Sequence, residues 1–209
     1  MKISRGVIVA HVISILPLIL LAVDLFSQNL TANPIQAITL RTGRTAINLL
    51  LVSLACSPLR NIFGIKSLLK MRIVFGLYAF FYSLAHFLVF SGLDYEFNAA
   101  WIVEEMRTKP FLQVGLSGLL ILSILAVSSV GMVLSWMKQY WQRLQRLVYP
   151  AAGLIIWHTF LAAKGDIRAS AIRGILYFTL MLARIKPIKN KLVIRVKWIE
   201  VINQFFQIY

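Results

Sequence analysis

Apolar runs of membrane-spanning length alternate with short charged connections along most of this chain. Residues 6–23 form the first run, with His11 inside it and Pro17 as a kink point. Asp24 closes it, and a polar loop follows in which Asn33-Pro34 signals a turn. The second run covers residues 38–56. Arg41 and Arg44 lie near its start, where long side chains snorkel to the interface, and Ser57-Pro58 is expected to end it. Arg60, Lys66, Lys70 and Arg72 make a basic connection. The third run, residues 71–92, is uncharged after Arg72 and carries His86. An acidic loop with Asp94, Glu96, Glu104 and Glu105 leads to Pro110, which suits a helix's first turn, and to an uncharged run over residues 111–137. Lys138, Arg143 and Arg146 form a second basic connection among the interface anchors Trp136, Tyr140 and Trp141. Residues 147–163 are apolar around His158, and residues 174–183 give a short sixth run. The tail, residues 185–209, mixes Lys and Arg with Trp198, Phe205 and Phe206 and reads as a basic amphipathic interfacial segment.

Composition agrees with this pattern. Of 209 residues 59% are hydrophobic and only 14% charged, with mean hydropathy +0.79. A soluble domain is nearer half apolar and a quarter charged. The expected fold is therefore an all-α integral membrane helical bundle of about six transmembrane helices, with residues 1–184 as one membrane domain. The N-terminal run is long for a signal-peptide core and reads as the first span. A net charge of +15 would suggest nucleic acid in a soluble protein, but here the basic residues sit between spans and set orientation instead. Six spans with both termini cytoplasmic put most of the 22 basic residues inside, and every acidic residue except Glu200 outside or at the outer helix ends. The single cysteine, Cys56, excludes an internal disulfide or an iron–sulfur cluster from this chain alone, and reads as a packing residue. No internal repeat stands out.

Orientation brings the histidines into play. His86 lies 14 residues beyond Arg72 and His158 11 residues beyond Leu147, rises of roughly 21 and 16 Å from the cytoplasmic side. Both rings fall in the outer half of a core about 30 Å thick, on parallel helices. A single histidine in a span has an ordinary reading as a ring bonded to a neighbouring helix. Two at matched depth suit heme iron held by paired imidazoles, which leaves no open position and makes an electron carrier. Zinc competes poorly for want of further ligands at that depth, and no carboxylate lies deep enough to continue a proton relay. His11 reads as a packing or hydrogen-bonding residue. Gly76 and Gly153 would admit a macrocycle or a neighbouring helix equally well. Tyr78, Phe80, Phe81 and Tyr82 read as lipid-facing and core filler.

The motifs Asn33-Pro34, Thr42-Gly43-Arg44-Thr45-Ala46, Ser57-Pro58-Leu59-Arg60, Arg72, Gly76-Leu77, His86-Phe87, Thr108-Lys109-Pro110-Phe111 with Gly115, Ser128-Ser129, residues 141–149 and His158 occur in that order. Over residues 30–165 the chain resembles the heme-binding membrane subunits of the bacterial methionine-sulfoxide reductase system (the MsrQ, formerly YedZ, family), within the ferric-reductase-like transmembrane superfamily. The resemblance implies residence in the inner membrane and b-type heme, with His86 and His158 in the positions of the family's outer-heme ligands. It also implies electron flow from a cytoplasmic flavin reductase or the quinone pool to a periplasmic molybdenum-dependent methionine-sulfoxide reductase. The chain departs from the family at Gln145, where histidine is usual and is associated with a second, inner heme for which the arginine matching Arg72 has been considered as partner. The inner site then holds no second heme, or is served by His11 or by a flavin such as FMN. Arg72 also reads as an ordinary positive-inside anchor. Two other functions stay open: a cofactor-poor membrane scaffold, and a direct metal-ion reductase. Against the latter, the chain has no GxGxxG pattern and no room for flavin and nicotinamide domains.

Overall fold

The structure, a computed structural model, describes residues 4–129, 140–163, 165–185 and 190. Within them the chain is helical: α1 (Arg5–Phe26), α2 (Pro34–Phe63), α3 (Leu68–Val89) continued by a π-helical turn (Phe90–Asp94), α4 (Ala99–Thr108), α5 (Pro110–Ser128), a 3-10 turn (Gln145–Leu147), α6 (Val148–Ala162) and α7 (Arg168–Leu182). Among the described residues, four helices are long and apolar enough to cross a membrane: α1, α2, α3 with its π turn, and α5. The expected fifth and sixth spans appear as α6 and α7, each of 15 residues, short of the roughly 20 that a full crossing takes. The end of the 111–137 run, Trp136, Lys138 and nearly all of the tail lie outside the described residues.

The Asn33-Pro34 turn becomes a helix start. The Asn33 side chain accepts from Gln36 N at 3.0 Å, and Pro34 occupies the first turn, where its missing N–H costs nothing. Ser57-Pro58 does not end α2, contrary to expectation. The helix runs on to Phe63 and stops at Gly64, whose φ of 72° only glycine adopts freely and whose N–H bonds Arg60 O at 2.8 Å. Pro58 lacks the N–H that Leu54 O would receive, and Arg184 Nη2 donates to that oxygen at 2.5 Å. A cation from the end of α7 thus repairs the helix.

The acidic loop also holds structure not anticipated from its charge. Asn98 caps α4 by accepting from Ala100 N and Trp101 N at 3.1 and 3.2 Å. No α4 residue is buried. Lys109 and Tyr95 both hydrogen-bond Glu105, and Gln113 Nε2 donates to Met106 O at 2.8 Å, which ties α4 to α3 and α5.

Packing pairs α2 with α3 and α5 with α6, two antiparallel hairpins. The core where they meet is built from Leu50 and Leu54 of α2, Phe75 and Ala79 of α3, Leu122 and Leu125 of α5, and Ala151 and Ala152 of α6. Alanines at the crossings let the backbones approach closely. Helix α1 lies on α3, held where Tyr82 Oη donates to Ser14 O at 2.9 Å, and α7 lies against α6 and α2. Cys56 is buried and free.

Candidate functional site

His86 is on the last turn of α3, just before the π-helical turn, and His158 on the last turn but one of α6. Their ring centroids are 6.2 Å apart with planes at 79°. Each ring is half-buried, and each is anchored through Nδ1. His86 Nδ1 bonds Thr39 O of α2 at 2.8 Å, and His158 Nδ1 bonds Phe111 O of α5 at 2.7 Å. A carbonyl oxygen only accepts, so each Nδ1 carries the proton. The neutral ring then has its lone pair on Nε2, the nitrogen free to bind a metal. Among the described residues neither Nε2 has a hydrogen-bond partner.

Each ring lies against a glycine one helical turn beyond its carbonyl partner. A Cβ at Gly43 would stand 3.0 Å from His86 Nδ1, and one at Gly115 2.8 Å from His158 Nδ1. The two halves match in spacing: 47 residues separate Thr39 from His86, and 47 separate Phe111 from His158. Gly43 to Gly115 and His86 to His158 are the same stride, 72 residues. The site is thus a repeat in space that inspection of the sequence did not reveal. Identities at that stride are few (Leu50 and Leu122, Ser57 and Ser129, Ala79 and Ala151 among them).

Arg72 and Gln145 are not brought to the histidines. They lie 14 and 13 residues back along the same two helical paths, roughly 20 Å away along the helix axis. Arg72 Nη1 donates to Ser57 Oγ at 3.0 Å. Gln145 Nε2 donates to Ser128 Oγ at 3.0 Å and to Ser129 Oγ at 3.3 Å. At this level the match is looser: Ser57 and Ser129, the partners of Arg72 and Gln145, are 72 residues apart, but the stride pairs Arg72 with Leu144 and Gln145 stands one residue further on. Arg184, not singled out from the sequence, joins Arg72's end of the bundle: besides Leu54 O it reaches Tyr149 Oη at 2.8 Å and lies over that ring.

His11 is apart from both levels. Its Nδ1 is 3.2 Å from Tyr78 Oη on the outward side of α1 and α3. The glycines chosen from the sequence serve helix packing, with a Cβ at Gly76 meeting Ser53 Oγ and one at Gly153 meeting Tyr177 Oη, both at 3.4 Å. Among the described residues, Gly43 and Gly115 are the two whose Cβ would meet a histidine. Nothing local marks them, because their partners come from another helix. Among the described residues no group of three or more His, Cys, Asp or Glu side chains converges.

Comparison with known proteins points the same way as the sequence motifs. The family model for the ferric reductase like transmembrane component matches residues 42–156, which take in Gly43, His86 and Gly115 and stop two residues before His158. A protein-methionine-sulfoxide reductase heme-binding subunit MsrQ of Rhodospirillum rubrum is 37% identical over 183 residues, 87% of this chain and 88% of its own length. A protein of that name from Xanthomonas oryzae pv. oryzae is 36% identical over 181 residues, 82% of this chain and 83% of its own. One from Xanthomonas campestris pv. campestris is 38% identical over 146 residues, 70% of this chain and 67% of its own. On identity of this extent, and on the family model that matches more than half its length, the chain belongs to the MsrQ family of ferric-reductase-like transmembrane proteins.

Proposed function

We propose that this protein is a membrane b-type cytochrome subunit. In this reading His86 and His158 hold one heme between them, and the chain passes electrons to a periplasmic molybdenum-dependent methionine-sulfoxide reductase. The donor is a cytoplasmic flavin reductase or the quinone pool, and the setting is the bacterial inner membrane with both termini in the cytoplasm. The observation that carries the reading is the His86–His158 separation. Two metal–imidazole bonds of about 2.0–2.1 Å, with about 1.1 Å from ring centre to nitrogen, put the centroids of two trans imidazoles about 6.3 Å apart. The two rings stand at 6.2 Å. The donor set also suits the group: two neutral imidazoles, each with its Nδ1 proton spent on a backbone carbonyl and Nε2 available.

Heme ligated in this way supplies one-electron ferric–ferrous chemistry with no open position for oxygen. The chain's own part is to hold the rings, keep their tautomer and exclude water with the apolar core beneath them. Gln145 supports a single heme, since its amide is engaged with two serine hydroxyls and glutamine is a weak iron ligand beside imidazole. FMN near Arg72, at the opposite end of the bundle from the histidines, would shorten the path from a cytoplasmic donor.

The test is a pyridine hemochrome assay on purified protein, with reduced-minus-oxidised spectra. About one heme per chain with a six-coordinate b-type spectrum is expected, lost in His86→Ala and in His158→Ala. Full heme content in both variants would overturn the ligand assignment.

A further inference from the structure

We infer that Gly43 and Gly115 are the positioning residues of this site, and that they hold the planes of His86 and His158 crossed by opening one backbone carbonyl to each ring. The inference rests on the heme reading above. Thr39 O and Phe111 O each lie one turn before a glycine, inside α2 and α5. Such an oxygen already receives the N–H of the residue four further on, and Thr39 O also Thr42 Oγ1 at 3.0 Å, so the ring must come from the side. That approach crosses the place where the side chain of the following turn would stand. For a ring seated as closely as these two, a residue without Cβ leaves it open.

The distances bear this out on both sides. A Cβ at Gly43 would meet His86 Nδ1 at 3.0 Å and Cε1 at 3.1 Å. At Gly115 it would meet His158 Nδ1 at 2.8 Å and Cε1 at 2.9 Å. The atoms in the way are not the loose end of a flexible side chain. They belong to a flat ring already tied at that very nitrogen, so a methyl group there turns the ring or breaks its bond. Because the two clamps come from different helices, each fixes its own ring independently, and the planes end 79° apart.

Crossed axial imidazoles have a spectroscopic consequence. They leave two iron d orbitals nearly equal in energy and give ferric low-spin iron one strongly shifted resonance at large g. Parallel planes give an ordinary three-line rhombic spectrum. The Nδ1–H to carbonyl bond also makes the ligand more basic, which favours the ferric state and lowers the potential.

The experiment uses the purified full chain with its heme, electron paramagnetic resonance of the ferric state, and a redox titration. The unmodified protein is expected to show the single large-g line. Gly43→Ala and Gly115→Ala should each move intensity toward a rhombic spectrum and raise the midpoint potential, Gly115→Ala more so because its contact is closer. Gly76→Ala, whose Cβ would make only an ordinary contact with Ser53, should leave both unchanged. A rhombic spectrum in the unmodified protein overturns the inference, even if neither alanine variant accumulates. So does a pair of clamp variants indistinguishable from the unmodified protein, or a Gly76→Ala that shifts as far as they do. Failure of the heme reading looks different: the unmodified protein then carries no heme, or the histidine variants keep it.

Discussion

Pro58 leaves Leu54 O without its helical donor, and Arg184 fills the gap from another helix while its Nη1 reaches Tyr149 Oη. Hydrogen bonds of a charged donor contribute about 1.5–3 kcal/mol, so Arg184→Met should lower thermal stability in detergent by about that much. Adding Pro58→Ala restores an N–H for Leu54 O, and the loss on Arg184→Met should then shrink. Equal losses in both backgrounds would show that the Leu54 contact contributes nothing. Tyr95 offers a pH readout outside the spans. Burial, and then the Glu105 carboxylate beside it, push its phenol from an ordinary 10.0 up to about 12. Its contribution to stability is intact below pH 10.0, where the unfolded phenol ionises, and is lost as pH rises through about 12. An alkaline absorbance titration should find a late phenolate contribution that is lost in Tyr95→Phe and moves to lower pH in Glu105→Gln. Glu105 runs the other way. Its hydrogen bonds from Lys109 and Tyr95 hold it below the ordinary carboxylate value of 4.5, so its contribution is lost as the solution becomes acidic. At this scale the histidines were legible, because an imidazole in an uncharged run is conspicuous. Gly43, Gly115 and Arg184 were not, since what each does is decided by a residue from 43 to 130 positions away.

Helices were legible where hydrophobicity alone decides. The runs behind α1 and α3 were placed within a few residues, and Pro110 begins α5 as its fixed φ suggests. The errors fall where a tertiary contact overrides a local signal. Proline predicts an end to α2 at residue 57, but Arg184 supplies the missing donor and the helix gains most of two turns, to Phe63. Helix α4 escaped notice because its ten residues carry charges on one side and bury nothing. Its start depends on Asn98 capping two amides.

For the molecule as a whole, the meeting of the two histidine helices was foreseeable, because orientation and depth together place both imidazoles at one level. Orientation itself remains a proposal with a direct check. Cys56 is buried, so it gives little background in thiol labelling. Glu96→Cys should react with an impermeant maleimide added outside spheroplasts, and Lys66→Cys only after the membrane is opened. The reverse pattern would invert the topology and place the histidines near the cytoplasm.

The 72-residue stride has a bearing on ancestry. Two identical hairpins, each with a glycine one turn beyond a carbonyl open to the side on its first helix and a histidine late on its second, would build this same pocket simply by standing face to face. The site has the form of a symmetric dimer made continuous by a linker, with halves that differ where the stride pairs Arg72 with Leu144.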